Sequence, residues 1–224
     1  MNLGDRIEGL RARILRACEA AGRDPSTIEL LPVSKKQPLA LIREAATLGY
    51  TRFGENYVQE GADKASASPD FSFVLLGPLQ RNKARPALQY FAEIQSLDRP
   101  ELAERLQRIA EELDVVRPVW IQVDLWDEAT KLGGCTEAEL PALIEALGCH
   151  PRLPLKGLMA IPPPDNEAAF AQLATLRGRL QQDLGQHLRL SMGMSDDLEA
   201  AIAAGSDQIR IGTAFFGERS YGSR

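Results

Sequence analysis

Residues 28–35, Ile28-Glu29-Leu30-Leu31-Pro32-Val33-Ser34-Lys35, form one of the clearest strand-like runs in the chain. The run ends in a lysine, and the loop after it leads into a helical pattern at residues 39–47. An amine at the C-terminal end of a buried strand is well placed to form a Schiff base with an aldehyde. This unit predicts a strand followed by a helix, and it makes Lys35 a candidate chemical group.

The same alternation continues nearly to the end of the chain. Eight strands are predicted, at residues 30–34, 52–54, 71–76, 93–96, 116–123, 155–159, 188–191 and 208–211. Helical patterns are predicted at residues 3–21, 39–47, 58–66, 81–90, 101–113, 137–147, 166–184, 196–204 and in a short segment after Ala214. Nearly every predicted strand is thus followed by a predicted helix.

Eight β/α units in 224 residues match the count and approximate size of a (β/α)8 TIM barrel. Doubly wound α/β sheets alternate in the same way, so the number of strands is what favours the barrel. We see no internal repeat and no linker rich in Gly, Ser or Pro. Residues 162–165, Pro-Pro-Pro-Asp, are typical of a stiff βα loop that ends in a helix cap. The sequence therefore predicts a single barrel domain over residues 1–224.

Composition argues against several classes of function. The formal net charge is −5 and the sequence pI is about 5.2, which predicts no basic surface for nucleic acid or anionic lipid. No stretch reaches the roughly 18 apolar residues of a membrane helix, and the N-terminus lacks a leader pattern. We therefore expect a cytoplasmic protein. Three widely spaced cysteines, Cys18, Cys135 and Cys149, predict reduced thiols rather than a disulfide framework.

Metal, nucleotide and hydrolase motifs are not found in the sequence. His150 precedes Pro151 in a predicted turn, and neither it nor His187 has a Cys or His at ligand spacing. The patterns Gly-x-Ser-x-Gly, Gly-x-x-x-x-Gly-Lys-[Ser/Thr] and Gly-x-Gly-x-x-Gly are absent. The candidate chemistry must therefore come from the architecture of the barrel.

Two loops at the C-terminal end of the predicted barrel have the composition of an anion site. Barrels carry their function at this end, often with phosphate held after strands seven and eight. Strand seven leads into residues 191–197, Ser-Met-Gly-Met-Ser-Asp-Asp, and strand eight into residues 210–217, Arg-Ile-Gly-Thr-Ala-Phe-Phe-Gly. Each offers small residues, a hydroxyl and a helix start whose N–H groups bind anions. Such residues are also ordinary caps, but their barrel register favours a phosphate site.

A phosphate site there, with a lysine at the end of strand one, is the arrangement expected for pyridoxal phosphate (PLP) bound as a lysine aldimine. Lys35 and Lys36 are both candidates for the amine. Strand alternation places Lys35 on the face of Leu31 and Val33, whereas Lys36 borders the loop that follows, so we choose Lys35. The alternative is that the Lys-Lys pair is a solvated charge cluster, because lysine is rarely buried unpaired.

The chain resembles the pyridoxal phosphate homeostasis proteins, also called the YggS or PROSC family, from about Leu31 to Gly217. The resemblance is carried by residues 33–35, 53–60, 77–83, 157–162, 190–197 and 210–217. Two positions depart from the family pattern. Val74 stands where many members have a histidine, so any proton transfer by that histidine is absent. Asp124 replaces an asparagine ahead of residues 131–133, Lys-Leu-Gly, so the contact made by that asparagine is not carried over.

The resemblance implies a barrel similar to the N-terminal domain of bacterial alanine racemase, with Lys35 as the aldimine lysine. It places Asn56 beside the cofactor and Arg210 at the pyridine nitrogen. It implies phosphate contacts near six further residues, which are Ser191, Gly193, Met194, Ser195, Gly212 and Thr213. The implied partners are PLP and PLP-dependent apoenzymes, without nucleic acid or membrane. We expect a monomer or a weak dimer.

Arg210 bears on whether such a protein is an enzyme. A cation opposite the pyridine nitrogen disfavours its protonation, whereas an Asp would strengthen the ring as an electron sink. The alternative for Arg210 is an ion pair at the barrel rim with Asp207 or Glu218. Three acidic residues near the strand ends are candidates for structural partners of Lys83 or Arg210, namely Glu55, Glu60 and Asp197.

Two functions of different class compete. The first is a non-catalytic protein that stores, buffers or delivers PLP, and the second is a PLP enzyme such as an amino-acid racemase. A racemase of the alanine type needs a second base on the opposite cofactor face, which those enzymes take from a tyrosine in a second domain and a partner subunit. Only seven residues follow Gly217, and none of the four tyrosines is evidently placed as that base: Tyr50, Tyr57, Tyr90 and Tyr221. The sequence therefore favours the binding protein.

Overall fold

Eight parallel strands form a barrel in a computed structural model that describes residues 2–126, 133–163, 166 and 168–217. The strands are β1 (Glu29–Pro32), β2 (Arg52–Glu55), β3 (Ser72–Leu75), β4 (Glu93–Leu97), β5 (Val119–Gln122), β6 (Leu155–Met159), β7 (Arg189–Ser191) and β8 (Gln208–Ile211). Their order is β1-β8-β7-β6-β5-β4-β3-β2. The ring closes where Val33 pairs with Gly54, and where the N–H of Ser34 donates to the Gly54 carbonyl at 2.9 Å. The predicted (β/α)8 TIM barrel is confirmed.

Helices cover the outside of the barrel. They are α1 (Leu3–Ala21), α2 (Leu39–Thr47), α3 (Val58–Ala67), α4 (Ala84–Tyr90), α5 (Pro100–Glu112), α6 (Leu140–Gly148), α7 (Ala168–Leu184), α8 (Leu198–Ala203) and α9 (Thr213–Phe216). The first helix packs against α8 and α9, the last two helices of the described residues. Within the described ranges, no helix is both long enough and apolar enough to cross a bilayer.

The ends of α1 follow from its sequence. The side chain of Asn2 accepts the N–H of Asp5, and Asp5 accepts the N–H of Asn2 in return, which is a capping box. The helix stops at Gly22, whose φ of 63° is a left-handed conformation that glycine adopts without steric cost. Between the caps, the buried side chains recur at helical spacing and pack on the barrel: Leu3, Ile7, Leu10, Ile14, Ala17 and Cys18.

Several element ends differ from the sequence prediction. The predicted helix at residues 81–90 begins as a 3-10 turn, Arg81–Lys83, before α4. The predicted helix at 137–147 is regular only from Leu140, after a turn at residues 137–139 in which the carboxylate of Glu139 accepts the N–H and the hydroxyl of Thr136 at 2.9 and 2.8 Å. A 3-10 turn at Pro25–Thr27 was not predicted. Pro164 and Asp165 lie outside the described residues, so their helix cap stays a prediction.

The barrel interior is apolar near its C-terminal end and polar toward its N-terminal end. Leu31, Val33, Val74 and Leu76 form a separate buried apolar cluster, so Val74 packs against apolar neighbours. Deeper side chains hydrogen-bond across the interior between strands that are not neighbours. Nε2 of Gln95 on β4 lies 2.8 Å from Oε1 of Gln208 on β8.

An ion network lies at the N-terminal end of the barrel. Glu29, Arg52, Glu93 and Arg189 are each the first residue of their strands, and Lys156 is the second residue of β6. Arg52 contacts Glu29 and Glu93 at 3.0 Å each, Lys156 contacts Glu93 at 2.6 Å, and Arg189 contacts Glu29 at 3.1 Å. These five side chains tie five strands together at the end opposite the predicted site.

Candidate functional site

A cavity of about 270 Å³ opens at the C-terminal end of the barrel. Its volume lies just below the roughly 300–1,000 Å³ of typical ligand pockets, which suits one small molecule. Seven of the nine predicted site residues line it: Lys35, Asn56, Met194, Ser195, Arg210, Gly212 and Thr213. Apolar side chains complete much of the wall, namely Val33, Leu76, Met159 and Ile161. Gln37 and Asp196 also line the cavity, and the sequence analysis did not single them out.

The two candidate lysines lie in the turn after β1 and differ in exposure. Lys35 is half-buried and lines the cavity, whereas Lys36 is exposed. Ser34 through Gln37 form a turn in which the N–H of Gln37 donates to the Ser34 carbonyl at 3.0 Å. The cavity therefore favours Lys35 as the candidate amine, whereas Lys36 is exposed to solvent.

Arg210 lies buried in the cavity wall. Its Nη1 donates to Oγ of Ser191 at 2.9 Å, and its Nη2 donates to the carbonyl of Ala160 at 2.7 Å. Burial lowers its pKa to about 10, so the guanidinium remains protonated at neutral pH. No carboxylate of the described chain forms an ion pair with it. Asp207, the alternative partner, pairs with two other arginines, and Glu218 lies outside the described residues.

Ser191 and Gly193 lie behind the cavity wall rather than in it. Besides accepting from Arg210, the buried hydroxyl of Ser191 lies 2.8 Å from Oε1 of both Gln95 and Gln208. Gly193 has a φ of 95°, and a Cβ there would lie 2.5 Å from Cβ of Ala201. Ser191 therefore positions Arg210, and Gly193 lets the β7–α8 loop approach α8.

The β8–α9 loop retains backbone donors for an anion. Helix α9 begins at Thr213, and Gly212 provides no side-chain cap. The Gly212 carbonyl accepts the N–H groups of Phe215 and Phe216, and within the described residues no backbone carbonyl accepts those of Thr213 and Ala214. Such groups at the end of a barrel strand favour an anionic group in the cavity.

Two arginines of α1 contact the β7–α8 loop and helix α9 from outside. Nη1 of Arg13 donates to the carbonyl of Ser195 at 2.6 Å, and its guanidinium also pairs with Glu199 of α8. Arg6 donates to the carbonyls of Phe215 and Phe216 at 3.1 Å each. The Ser195 carbonyl and the Asp196 N–H belong to one trans peptide unit and point in opposite directions. The N–H of Asp196 therefore points away from Arg13. Sequence reasoning missed these arginines because about 180–210 residues separate them from the loops.

The predicted pairing of Glu55 and Glu60 with Lys83 or Arg210 is wrong. Both carboxylates bind Nζ of Lys64 instead, at 2.6 and 2.7 Å, and Lys83 is exposed. The Glu60 to Lys64 spacing of four residues on a helix is a signal that could have found half of this cluster.

The remaining predicted positions have local roles or lie outside the described residues. Asp197 accepts the N–H of Met194 within the β7–α8 loop. Asp124, which replaces an asparagine of the family pattern, accepts the N–H of Trp126 at 3.1 Å, and Lys131 and Leu132 are not described. In the part of the chain that the structure covers, no three His, Cys, Asp or Glu side chains are grouped to hold a metal ion.

Comparisons with known proteins agree with this geometry. Residues 8–220 match the family model described as alanine racemase, N-terminal domain. The pyridoxal phosphate homeostasis protein of Pseudomonas aeruginosa is 46% identical over 99% of this chain and 97% of its own. The structure of PipY from Synechococcus elongatus with PLP bound is 39% identical, covers 96% of this chain and 100% of that chain, and has a TM-score of 0.84.

An alanine racemase of Clostridium difficile shares the fold at 14% identity and a TM-score of 0.70, over 93% of this chain and 59% of the racemase. The barrel therefore corresponds to part of that larger enzyme. The resemblance drawn from the sequence motifs is confirmed by the close relatives, which match this chain nearly from end to end. This chain belongs to the pyridoxal phosphate homeostasis protein family, and its barrel is of the alanine racemase N-terminal type.

Proposed function

We propose that this chain binds PLP in the cavity at the C-terminal end of the barrel and holds it reversibly through Lys35. The observation that carries the proposal is the meeting of an amine, a buried cation and uncapped backbone donors around one cavity of about 270 Å³. The names of the curated relatives and the PLP bound to PipY support the same cofactor. The function is PLP homeostasis, meaning storage, buffering or delivery of the cofactor to PLP-dependent apoenzymes.

The lining residues divide into three roles. When bound, PLP supplies an aldehyde that condenses with an amine, and Lys35 would provide that amine. Ser195, Gly212 and Thr213 would hold the phosphate through backbone N–H groups and hydroxyls, and Met194, whose own N–H is bound by Asp197, would line the cavity beside them. Arg210 would face the ring, where Ser191 and the Ala160 carbonyl fix its guanidinium. Asn56 would lie beside the ring.

We infer that the chain does not turn over amino acids. A protonated arginine beside the ring would disfavour protonation of the ring nitrogen, so bound PLP would be a weak electron sink. Catalysis of racemisation also requires a second acid/base group. The titratable side chains among the described lining residues are Lys35, Asp196 and Arg210, with no tyrosine, histidine or cysteine among them. Tyr57, next to Asn56 in the chain, is 52% exposed.

The proposed function is tested by assaying turnover and transfer with the same PLP-loaded protein. Racemisation, transamination and decarboxylation of L-amino acids should not exceed the rates with free PLP. A PLP-dependent apoenzyme mixed with the loaded protein should regain activity at least as fast as with an equal concentration of free PLP. Robust turnover that disappears in Lys35→Ala would establish the alternative, a PLP enzyme, and would contradict this proposal.

Arg13→Ala should weaken PLP binding by about tenfold, because the β7–α8 loop loses a charge-assisted hydrogen bond to its Ser195 carbonyl. The dissociation constant is measured by titration calorimetry. Arg16→Ala, which removes an exposed arginine from the same helix, is the matched control and should bind PLP as the wild type does. Equal affinity in Arg13→Ala and Arg16→Ala would show that α1 does not support the phosphate site.

A further inference from the structure

The turn that carries Lys35 has an unfavourable backbone conformation. Lys36, directly after Lys35, has a φ of 60°, which is left-handed and disfavoured for residues other than glycine. The turn is closed by the hydrogen bond from the N–H of Gln37 to the Ser34 carbonyl, with Lys36 in the third position. Such a conformation persists only where neighbouring groups hold it.

Helix α3 supplies groups that hold the turn on both sides of Lys35. Oε1 of Glu60 accepts the N–H of Lys36, the residue after Lys35. Nζ of Lys64 donates to the carbonyl of Ser34, the residue before Lys35, at 2.7 Å. Glu60 and Lys64 are themselves paired at 2.7 Å. One ion pair therefore contacts the peptide groups that flank Lys35.

Glu55 at the end of β2 anchors this ion pair to the barrel. Its side chain is fully buried, and its Oε1 lies 2.6 Å from Nζ of Lys64 and 2.6 Å from Oγ of Ser34. Burial raises the pKa of Glu55, against the lowering effect of Lys64. Lys64 thus makes three hydrogen bonds, to Ser34, Glu55 and Glu60, which uses all its donors. Because these side chains are largely buried, salt screens their electrostatic interactions only weakly.

We propose that Glu60 and Lys64 are positioning residues for Lys35. By binding the peptide groups before and after it, they keep the turn in the conformation that brings the Lys35 side chain to the cavity. This inference rests on the proposed role of Lys35 in holding PLP. Without Glu60, Lys36 relaxes toward a negative φ, the turn changes shape, and the amine of Lys35 leaves its place in the cavity more often. The expected consequence is faster release of PLP.

The fold should tolerate the removal of Glu60. Its side chain is 25% exposed, and the buried pair of Glu55 and Lys64 stays intact without it. Glu60→Ala is therefore the informative variant, whereas removal of Lys64 would leave Glu55 buried without a counter-charge. Gln59→Ala, which removes an exposed neighbour that bonds to Asp63 within α3, is the matched control.

The test compares PLP release from four loaded proteins: wild type, Glu60→Ala, Lys36→Asn and the double variant. Release is followed by the activity that a PLP-dependent apoenzyme regains over time as it captures the released PLP. Glu60→Ala should release PLP faster by on the order of fivefold, as expected when a left-handed residue loses its support. Asparagine tolerates a left-handed conformation, so Lys36→Asn should retain PLP as the wild type does and should largely restore retention in the double variant.

A second readout needs no PLP. Hydrogen exchange of the residue 36 amide should be faster in Glu60→Ala than in wild type or Gln59→Ala, because that N–H loses its acceptor. Equal retention in wild type and Glu60→Ala, or a double variant that releases PLP as fast as Glu60→Ala, would overturn this inference alone. A wild-type protein that carries no PLP on Lys35 would overturn the proposed function together with it.

Discussion

Lys35→Ala is expected to abolish the visible absorption band of protein-bound PLP and to weaken PLP binding by on the order of a hundredfold, or about 2.7 kcal/mol. The reason is that Lys35 is the one lysine among the described residues that line the cavity. Without its amine, the phosphate donors and Arg210 would hold the cofactor by non-covalent contacts alone. The measurement is an absorbance titration of the purified protein with PLP.

Lys36→Ala is the control for this prediction, because Lys36 is the neighbouring lysine and is exposed. It should keep the band and bind PLP within about twofold of wild type, since exposed side chains outside a contact contribute little. A band that survives in Lys35→Ala and is lost in Lys36→Ala would reverse the assignment of the two lysines.

Glu93→Ala is expected to lower the free energy of unfolding by about 3–5 kcal/mol. The Glu93 carboxylate is 2% exposed and accepts from Nε1 of Trp120 at 2.7 Å, while it pairs with Arg52 at 3.0 Å and Lys156 at 2.6 Å. Its removal leaves Lys156 and a buried indole N–H without this acceptor, and it leaves Arg52 paired with Glu29 alone. The loss is measured by urea denaturation.

The matched control is Glu112→Ala, which breaks the exposed ion pair with Arg85. Exposed pairs contribute about 0–1 kcal/mol, so this variant should unfold at nearly the wild-type urea concentration. Equal losses in Glu93→Ala and Glu112→Ala would show that the ion network at the N-terminal end of the barrel does not stabilise the fold.

The contribution of Glu93 should depend on pH. Burial by itself would raise its pKa, but the charge of Arg52 and the hydrogen bonds from Lys156 and Gln95 hold the pKa below its ordinary value. A folded-state pKa below the unfolded value, about 4.3, means that the stabilisation is complete above that pH and is lost as the pH falls. The stability difference between wild type and Glu93→Ala should therefore shrink below about pH 4.3. A difference that stays constant from pH 7 to pH 3 would contradict this.

The sequence was sufficient for the barrel and for most of the residues that line its C-terminal cavity. Strand alternation selected Lys35 over Lys36, although β1 ends at Pro32 and both lysines lie in the turn of residues 34–37, so the turn rather than the strand sets their directions. The loops after β7 and β8 were recognisable because small residues and hydroxyls follow two buried strands. These features depend on neighbours in sequence, which is why local patterns reveal them.

The supporting contacts could not be predicted, because they join distant parts of the chain. Ser191 and Gly193 lie behind the cavity wall through contacts with Gln95, Gln208 and Ala201, and no local pattern distinguishes them from Ser195. The contacts of Lys64 with Ser34 and Glu55 likewise arise only when the barrel closes. Which loop residues line a cavity is thus decided by tertiary packing.

Borohydride reduction followed by peptide mapping tests most directly whether Lys35 holds PLP. The protein is mixed with PLP, reduced, digested and analysed by mass spectrometry. We predict one pyridoxyl group per chain, on Lys35. A label on Lys36 or on another lysine, or protein that binds PLP and carries no label after reduction, would contradict the central claim.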